Sequence, residues 1–140
     1  MTKTLGRTEK AINAVIENFI EAWNMHDVKA HASVFVENAD FTNVFGQRFH
    51  GREAIEEQHA RIFETMFKNS HIDLEQTSIR LIDQIFAAVD VRWTMHGAVD
   101  MKGNPWSERK GLMNLVMKFD NGEWSILIMH NMDLPVISAN

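Results

Sequence analysis

Residues 109–134 decide the fold: they read RKGLMNLVMKFDNGEWSILIMHNMDL. Positions 111, 113, 115, 117 and 119 place glycine or apolar residues on one face, which is the period of two of a β-strand. The tripeptide DNG at 120–122 is typical of a tight hairpin turn. Residues 123–134 then form a second apolar run. The segment therefore predicts two long antiparallel strands joined by a short turn.

Two further strands are predicted before this hairpin. Residues 72–82 form a long, partly polar run, and residues 85–99 alternate between inward apolar and outward polar side chains over most of their length. The residues Lys-Gly-Asn-Pro at 102–105 are typical of a turn. The C-terminal half of the chain thus predicts an antiparallel sheet of long strands.

Helical patterns occupy the start of the chain. Thr8 is the predicted N-cap of a first helix, in which apolar residues recur at helical spacing until residues 24–25. Asp27 is the predicted N-cap of a second, shorter helix that includes Phe35 and ends at Asn38. Both helices present an apolar stripe, so both are expected to pack against the sheet.

A short strand and a third helix complete the pattern. Residues 40–45 alternate in polarity, which predicts a strand, and residues 46–51 predict a turn. Residues 52–67 predict the third helix, whose apolar stripe is interrupted by His59.

This order of elements predicts the fold class. Three helices near the N-terminus and long hairpin-linked strands after them are typical of α+β proteins, with the helices packed in a strongly curved antiparallel sheet. A sheet that wraps around helices encloses a cone, and the open end of a cone forms a pocket. We find no linker or repeat, so we expect residues 1–140 to form one domain with its core at about 8–132.

Composition excludes several classes of function. The formal net charge is −5, from 14 basic and 19 acidic residues, which disfavours nucleic-acid binding. There is no cysteine, so disulfides, thiol catalysis and thiolate metal sites are excluded. Residues 1–10 lack the apolar core of a signal peptide and no long apolar run follows, so we expect a cytoplasmic protein that does not bind membranes.

Short motifs in a fixed order extend over most of the chain, from residue 8 to residue 132: WNMHD at 23–27, VF at 34–35, NADF at 38–41, GREAI at 51–55, GEWSI at 122–126 and HN at 130–131. In order and spacing the chain resembles nuclear transport factor 2-like domains, and its ending is similar to the SgcJ/EcaC-type branch, close to the SnoaL-like proteins. The resemblance implies a conical cystatin-like fold, a ligand pocket between sheet and helices, and a homodimer formed through the outer sheet face. It implies little about chemistry, because such proteins include isomerases, dehydratases, polyketide cyclases, hydrolases and non-catalytic members.

Three residues are candidates for catalysis. His59 interrupts an apolar helical stripe, so its imidazole is expected to point inward, either into a pocket or into a hydrogen-bonded core position. His130 shares strand parity with Trp124 and either enters the same pocket or holds the C-terminal segment in place. Asn43 is expected to hydrogen-bond a ligand. A facing His59 and His130 would form an acid–base pair.

One related mechanism is disfavoured at Asn43. The related ketosteroid isomerases carry a carboxylate base in the short strand after the second helix and a tyrosine that donates to the enolate oxygen. Here the strand reads Thr42–Asn43–Val44, and the chain contains no tyrosine. An amide cannot abstract a proton from carbon. A site of the tyrosine and aspartate type is therefore not expected.

Apolar residues from each predicted element are expected to form the ligand-binding walls. They are Trp23, Phe41, Phe45, Phe63, Trp93, Met95, Met113, Leu115 and Ile128. Asp90 and Arg92 are expected on the outer sheet face, although a shift of one residue in register would turn Arg92 inward. His26, His31, His50 and His71 are expected at the surface, and neither a metal site nor a cofactor is predicted.

The sequence therefore favours a protein that binds a small, largely apolar molecule. Any catalysis would be cofactor-independent proton transfer by histidine, such as isomerisation, dehydration or cyclisation. The alternative is a non-catalytic dimerisation or accessory module, in which the same inward residues are simply core.

Overall fold

The structure, a computed structural model, describes residues 6–135. These residues form three helices and six strands in the following order: α1 Arg7–Asn24, α2 Val28–Ser33, β1 Phe35–Thr42, β2 Arg48–His50, α3 Arg52–Glu64, β3 His71–Leu81, β4 Phe86–His96, β5 Arg109–Asp120 and β6 Glu123–Asp133.

Helix α1 begins slightly earlier than predicted. Its N-cap is Gly6, so the prediction of Thr8 as the N-cap is wrong, and Thr8 lies within the first turn. The helix ends at Asn24, close to the predicted end. Within residues 6–135, no helix combines the length and the apolar character needed to cross a lipid bilayer.

Helix α2 begins as predicted and ends earlier. The side chain of Asp27 caps it, because Asp27 Oδ1 accepts a hydrogen bond of 3.1 Å from the Ala30 N–H. The helix ends at Ser33 rather than at Asn38, and Phe35 is the first residue of β1. The helical spacing of apolar residues predicted the wrong end for α2. Pairing of β1 with β6 stabilises a strand from Phe35 onward and outweighs the local helix propensity.

The sheet confirms the predicted α+β class. Its strand order is β2-β1-β6-β5-β4-β3, antiparallel throughout except for the parallel pair β1 and β6. Helix α1 contacts both β3, at the sheet edge, and β6, three strands away. A sheet that curves around α1 brings both strands against this one helix. The inner face of this curved sheet and the three helices enclose the core.

A β-bulge in β6 decides which side chains face inward near its end. The neighbouring β5 residues Val116 and Met117 pair with β6 residues that are two apart, which leaves Leu127 as an extra residue. A bulge reverses the alternation of the strand beyond it. The inward positions after the bulge are consequently Met129 and Asn131.

Candidate functional site

A cavity lies between the inner face of the sheet and the helices. Its enclosed volume is about 50 Å³, and its total volume is about 610 Å³ when the space open to solvent is included. The smaller volume limits the group that can enter, because the larger one contains space open to solvent. Six of the predicted wall residues line the cavity: Trp23, Phe41, Phe45, Trp93, Met95 and Met113.

His59 lies in this cavity and is 2% exposed. Its Nδ1–H donates to the carbonyl oxygen of Ile55, one turn earlier in α3, at 2.8 Å. A carbonyl only accepts, so Nδ1 carries the proton and Nε2 is left as a hydrogen-bond acceptor. Burial lowers the pKa of His59 to about 4, against the opposing effect of the bond to Ile55. The ring is therefore neutral at physiological pH.

His31 is a second cavity histidine, and the expectation that it lies at the surface is wrong. It is 1% exposed, in the last turn of α2, and its ring centroid lies 4.4 Å from that of His59. Burial lowers the pKa of His31 well below its usual range, and repulsion from His59 lowers it further. The signal for this position was its spacing of three residues from Val28, which puts both on one side of α2.

Aromatic rings surround the two imidazoles. Phe19 stacks on His31 with ring centroids 4.2 Å apart, and Phe41 lies 5.0 Å from His59. Trp23 meets both imidazoles edge-on, at 5.7 and 6.1 Å. This apolar enclosure disfavours charge on either ring, which is the physical cause of their lowered pKa values.

Polar atoms without a protein partner are concentrated at this cavity. Among the described residues, three buried side-chain atoms lack a hydrogen bond: His31 Nδ1, Gln58 Oε1 and Thr94 Oγ1. His31 and Gln58 both line the cavity. Leaving a buried polar atom unpaired costs about 1–3 kcal/mol. Two of these atoms belong to residues that line one cavity, which makes the cavity a candidate site for a polar group of another molecule.

Arg109, at the start of β5, also lines the cavity and is buried. Its Nε and Nη2 donate to Asp133 Oδ1 at 3.0 and 2.7 Å, and its guanidinium lies 4.1 Å from the ring centroid of Trp106. The carboxylate of Asp133 thus compensates the buried positive charge. The sequence placed Arg109 only as the first residue of a strand and missed its inward orientation.

A family model described as a SnoaL-like domain matches residues 16–125. The chain belongs to the SnoaL-like family. No protein of curated function matches it in sequence.

Solved structures confirm the fold of this SnoaL-like protein. An uncharacterised protein with a cystatin-like fold from Caulobacter vibrioides is 25% identical, with 93% of this chain and 92% of that chain covered and a TM-score of 0.86. A nuclear transport factor 2-like protein of unknown function from Shewanella oneidensis is 16% identical (90% and 99% covered, TM-score 0.75). A ketosteroid isomerase-like protein from Erwinia carotovora is 13% identical (94% and 100% covered, TM-score 0.77). The last two similarities concern the fold alone.

The predicted orientation of His130 in this SnoaL-like protein is wrong. His130 is exposed and pairs across the sheet with Asn114, on the outer face. The bulge at Leu127 reverses the strand parity on which the prediction rested. Asn131 takes the inward position instead, where its Oδ1 accepts a 2.9 Å hydrogen bond from Trp93 Nε1. His59 and His130 therefore do not face one another.

Three predicted wall residues lie outside the cavity lining. Ile128 directly follows the bulge at Leu127, pairs with Val116, and lies on the outer face. Phe63 is buried but packs edge-on against Trp23, with centroids 4.7 Å apart. Leu115 is buried on the inner face of β5, away from the cavity. The last two contribute to the core.

Asn43 lines the cavity, but its amide is engaged in the turn after β1. Its Oδ1 accepts from the backbone N–H groups of Phe45 and Gln47, at 3.0 and 2.9 Å, and its Nδ2 donates to Gln47 Oε1 at 3.0 Å. These bonds fix the turn that carries Phe45. The amide oxygen is saturated, so Asn43 shapes the turn, and of its amide only the second Nδ2–H remains for the ligand hydrogen bond predicted for it.

The outer sheet face carries the polar residues predicted for it. Asp90 and Arg92 are exposed, and Asp90 Oδ1 accepts a 2.6 Å hydrogen bond from Asn114 Nδ2. The alternative register with Arg92 inward is thereby excluded. Within residues 6–135, no three His, Asp or Glu side chains come together as metal ligands.

Proposed function

We propose that this SnoaL-like protein binds a small, largely apolar molecule through an uncharged polar group placed beside His31 and His59. The observation that carries the proposal is the pair of unpartnered buried atoms, His31 Nδ1 and Gln58 Oε1, on residues that line one cavity. Buried polar atoms in proteins are nearly always hydrogen-bonded. A ligand group that bonds them recovers part of the free energy that their burial costs.

The polar group of the ligand is a hydrogen-bond donor. His59 Nε2 accepts, since the bond to Ile55 fixes the proton on Nδ1, and the unpartnered atom of Gln58 is an acceptor as well. A hydroxyl or an amide N–H can donate to either of these acceptors, whereas a ketone oxygen can donate to neither.

The polar group is also uncharged. Burial keeps both imidazoles neutral, and Asp133 already compensates the charge of Arg109. A ligand carboxylate would enter an apolar space without a cation to pair with, which is costly. The aromatic walls favour an apolar remainder of the molecule.

A test compares 1-butanol with 2-butanone and butyrate, using NMR chemical-shift titration of the protein. We expect 1-butanol to bind most tightly, and His59→Leu to weaken it about tenfold, the effect of losing one hydrogen bond of about 1.4 kcal/mol. Leucine removes a buried polar group, so the free energy of unfolding should change by less than about 1 kcal/mol.

The matched control is His71→Leu, which makes the same change at an exposed histidine and should leave butanol binding unaltered. Equal binding of butanol and butanone would contradict the donor group. A protein that binds none of these compounds, and whose native mass spectrum after purification contains no small molecule, would refute the proposed function.

Proton-transfer catalysis is the second candidate, favoured by the contact between His31 and His59. This pair replaces the predicted pair of His59 and His130. Binding is preferred over isomerisation, dehydration or cyclisation because an efficient general base has a pKa near the working pH, and that of His59 is about 4. Incubating a co-purified molecule with the protein and looking for a change in its structure distinguishes the two functions.

We further propose that two copies associate through the outer face of the sheet. The proposal is supported by a half-buried apolar centre on the outer face of β5 and β6, formed by Leu112, Val116 and Ile128. The charged Asp90 and Arg92 lie beside this centre. Light scattering should give a dimer mass, and Val116→Asp should give a monomer.

The control for that variant is Leu81→Asp, which puts the same charge on an exposed apolar residue at the end of the edge strand β3, opposite Ala87 and thus not on the outer face, and should leave the dimer intact. A monomeric wild-type protein would contradict the proposal. A dimer that binds no small molecule would instead support the association module considered as the alternative.

A further inference from the structure

A second, apolar groove lies beside the cavity and shares Phe45 with it. Its walls are Phe45 in the turn after β1, Met66 just beyond α3, and Met101 and Trp106 in the loop between β4 and β5. It offers about 440 Å³. We refer to these four residues as the outer groove.

The loop that forms one side of the outer groove is held by backbone hydrogen bonds. The Val99 N–H donates to the Met66 carbonyl oxygen at 2.9 Å, and the Trp106 N–H donates to that of Ala98 at 2.9 Å. Asp100 Oδ1 accepts from the N–H groups of Lys102 and Asn104, both at 2.9 Å. These hydrogen bonds fix the conformation of the loop, so the outer groove is a defined part of the structure.

The outer groove adjoins the inner cavity. Phe45 lines both, and Arg109, an inner residue, stacks 4.1 Å from the ring of the groove residue Trp106. Phe45 is 52% exposed and Met101 is 86% exposed. Large apolar side chains that stay exposed next to a pocket are typical of a binding surface.

The two volumes differ in what they can hold. The inner cavity, with about 50 Å³, has room for only a few heavy atoms, because a single water needs roughly 10–15 Å³ by the same measure. All the unpartnered polar atoms at the site belong to inner residues, whereas the groove walls are apolar apart from its rim. A ligand that uses both parts must have a small polar end and a longer apolar end.

We infer that the ligand is an elongated amphipathic molecule, whose hydroxyl- or amide-bearing head enters the cavity and whose apolar tail leaves past Phe45 and lies in the outer groove. This inference rests on the function proposed above and specifies its ligand class. It also assigns a role to the exposed Met101, which neither the core nor the cavity explains.

The test is a titration with 1-butanol, 1-hexanol and 1-octanol. Full burial of a methylene group contributes about 0.8 kcal/mol, or roughly a fourfold gain in affinity, and a groove that covers one side of the tail should give about half of that free energy. We therefore expect about a twofold gain per methylene and about a 16-fold gain from butanol to octanol.

The double variant Met66→Ala with Met101→Ser changes two residues that line the groove and not the cavity, so it should bind butanol within about twofold of wild type and show little further gain with chain length. Met25→Ala is the matched control, since Met25 is 69% exposed and lines neither the cavity nor the groove. It should retain the full dependence on chain length. His59→Leu should weaken all three alcohols by the same factor.

The outcomes separate this inference from the proposed function. If butanol binds but octanol binds no better, or if the double variant keeps the wild-type gain, the outer groove is not a tail site and only this inference is overturned. If none of the alcohols binds, the proposed head site is refuted and the inference is overturned with it.

Discussion

Replacing Gly111 by alanine is expected to lower the free energy of unfolding by about 3 kcal/mol or more. Gly111 lies on the inner face of β5, directly opposite Trp93 on β4. A Cβ atom at this position would overlap the Cζ2 and Cε2 atoms of the indole ring. Trp93 is fully buried and donates to Asn131, so its ring cannot move without losing that hydrogen bond and entering the cavity. Urea denaturation at pH 7 measures the loss.

Two further variants separate this overlap from a general cost of replacing glycine. Gly6→Ala adds the same methyl group at a position where only the flexible end of the Glu9 side chain is near. The φ angle of Gly6 is −72°, which alanine also adopts, so the free energy of unfolding should change by less than about 1 kcal/mol. Combining Gly111→Ala with Trp93→Leu should cost less than the sum of the two single changes, because the smaller side chain vacates the space. A Gly111→Ala protein within 0.5 kcal/mol of wild type would contradict the argument.

The strands were predictable because their alternation extends over many residues. The polarity of residues 85–99 and 109–119 correctly assigned the buried faces of β4 and β5, including Trp93 and Met113. Periodicity does not show which residue lies opposite which. The contact between Gly111 and Trp93 depends on the pairing register, and so it emerged only from the structure.

The errors at the site have specific physical causes. Strand parity predicts orientation only as far as the next bulge, and the extra residue Leu127 exchanged the roles of His130 and Asn131. His31 was missed because α2 has only six residues, too few for an apolar period to reveal its buried side. His59 was placed correctly in the cavity because it interrupts a long apolar stripe.

Acidification from pH 6.5 to pH 4 is expected to destabilise the protein through His31 and His59. In the unfolded chain both imidazoles take up protons near pH 6.5, whereas in the folded protein the pKa of His59 is about 4 and that of His31 lies well below its usual value. Between these values the unfolded chain binds more protons than the folded protein, so the free energy of unfolding falls as the pH falls. Each histidine contributes a slope of up to about 1.4 kcal/mol per pH unit. His59 alone then accounts for a loss on the order of 3 kcal/mol.

Among the described residues, the two other groups with a lowered pKa do not affect the free energy of unfolding between pH 6.5 and pH 4.5, where the measurement should stop. The carboxyl of Asp40, whose pKa is lowered by its hydrogen bond with His50, and that of Asp83, lowered by backbone N–H groups, titrate below 3.8. They lose their stabilising effect only in stronger acid. The slope between pH 6.5 and 4.5 therefore reports on the buried imidazoles.

Urea denaturation at several pH values in this range tests the assignment, with His59→Gln as the informative variant. Glutamine does not titrate, so the slope should decrease by about 1.4 kcal/mol per pH unit and approach that of His31 alone. His71→Gln, the same change at an exposed histidine, should keep the wild-type slope. A His59→Gln protein that loses stability in acid as steeply as wild type would mean that folding does not lower the pKa of His59. Burial would then not be what keeps this imidazole neutral.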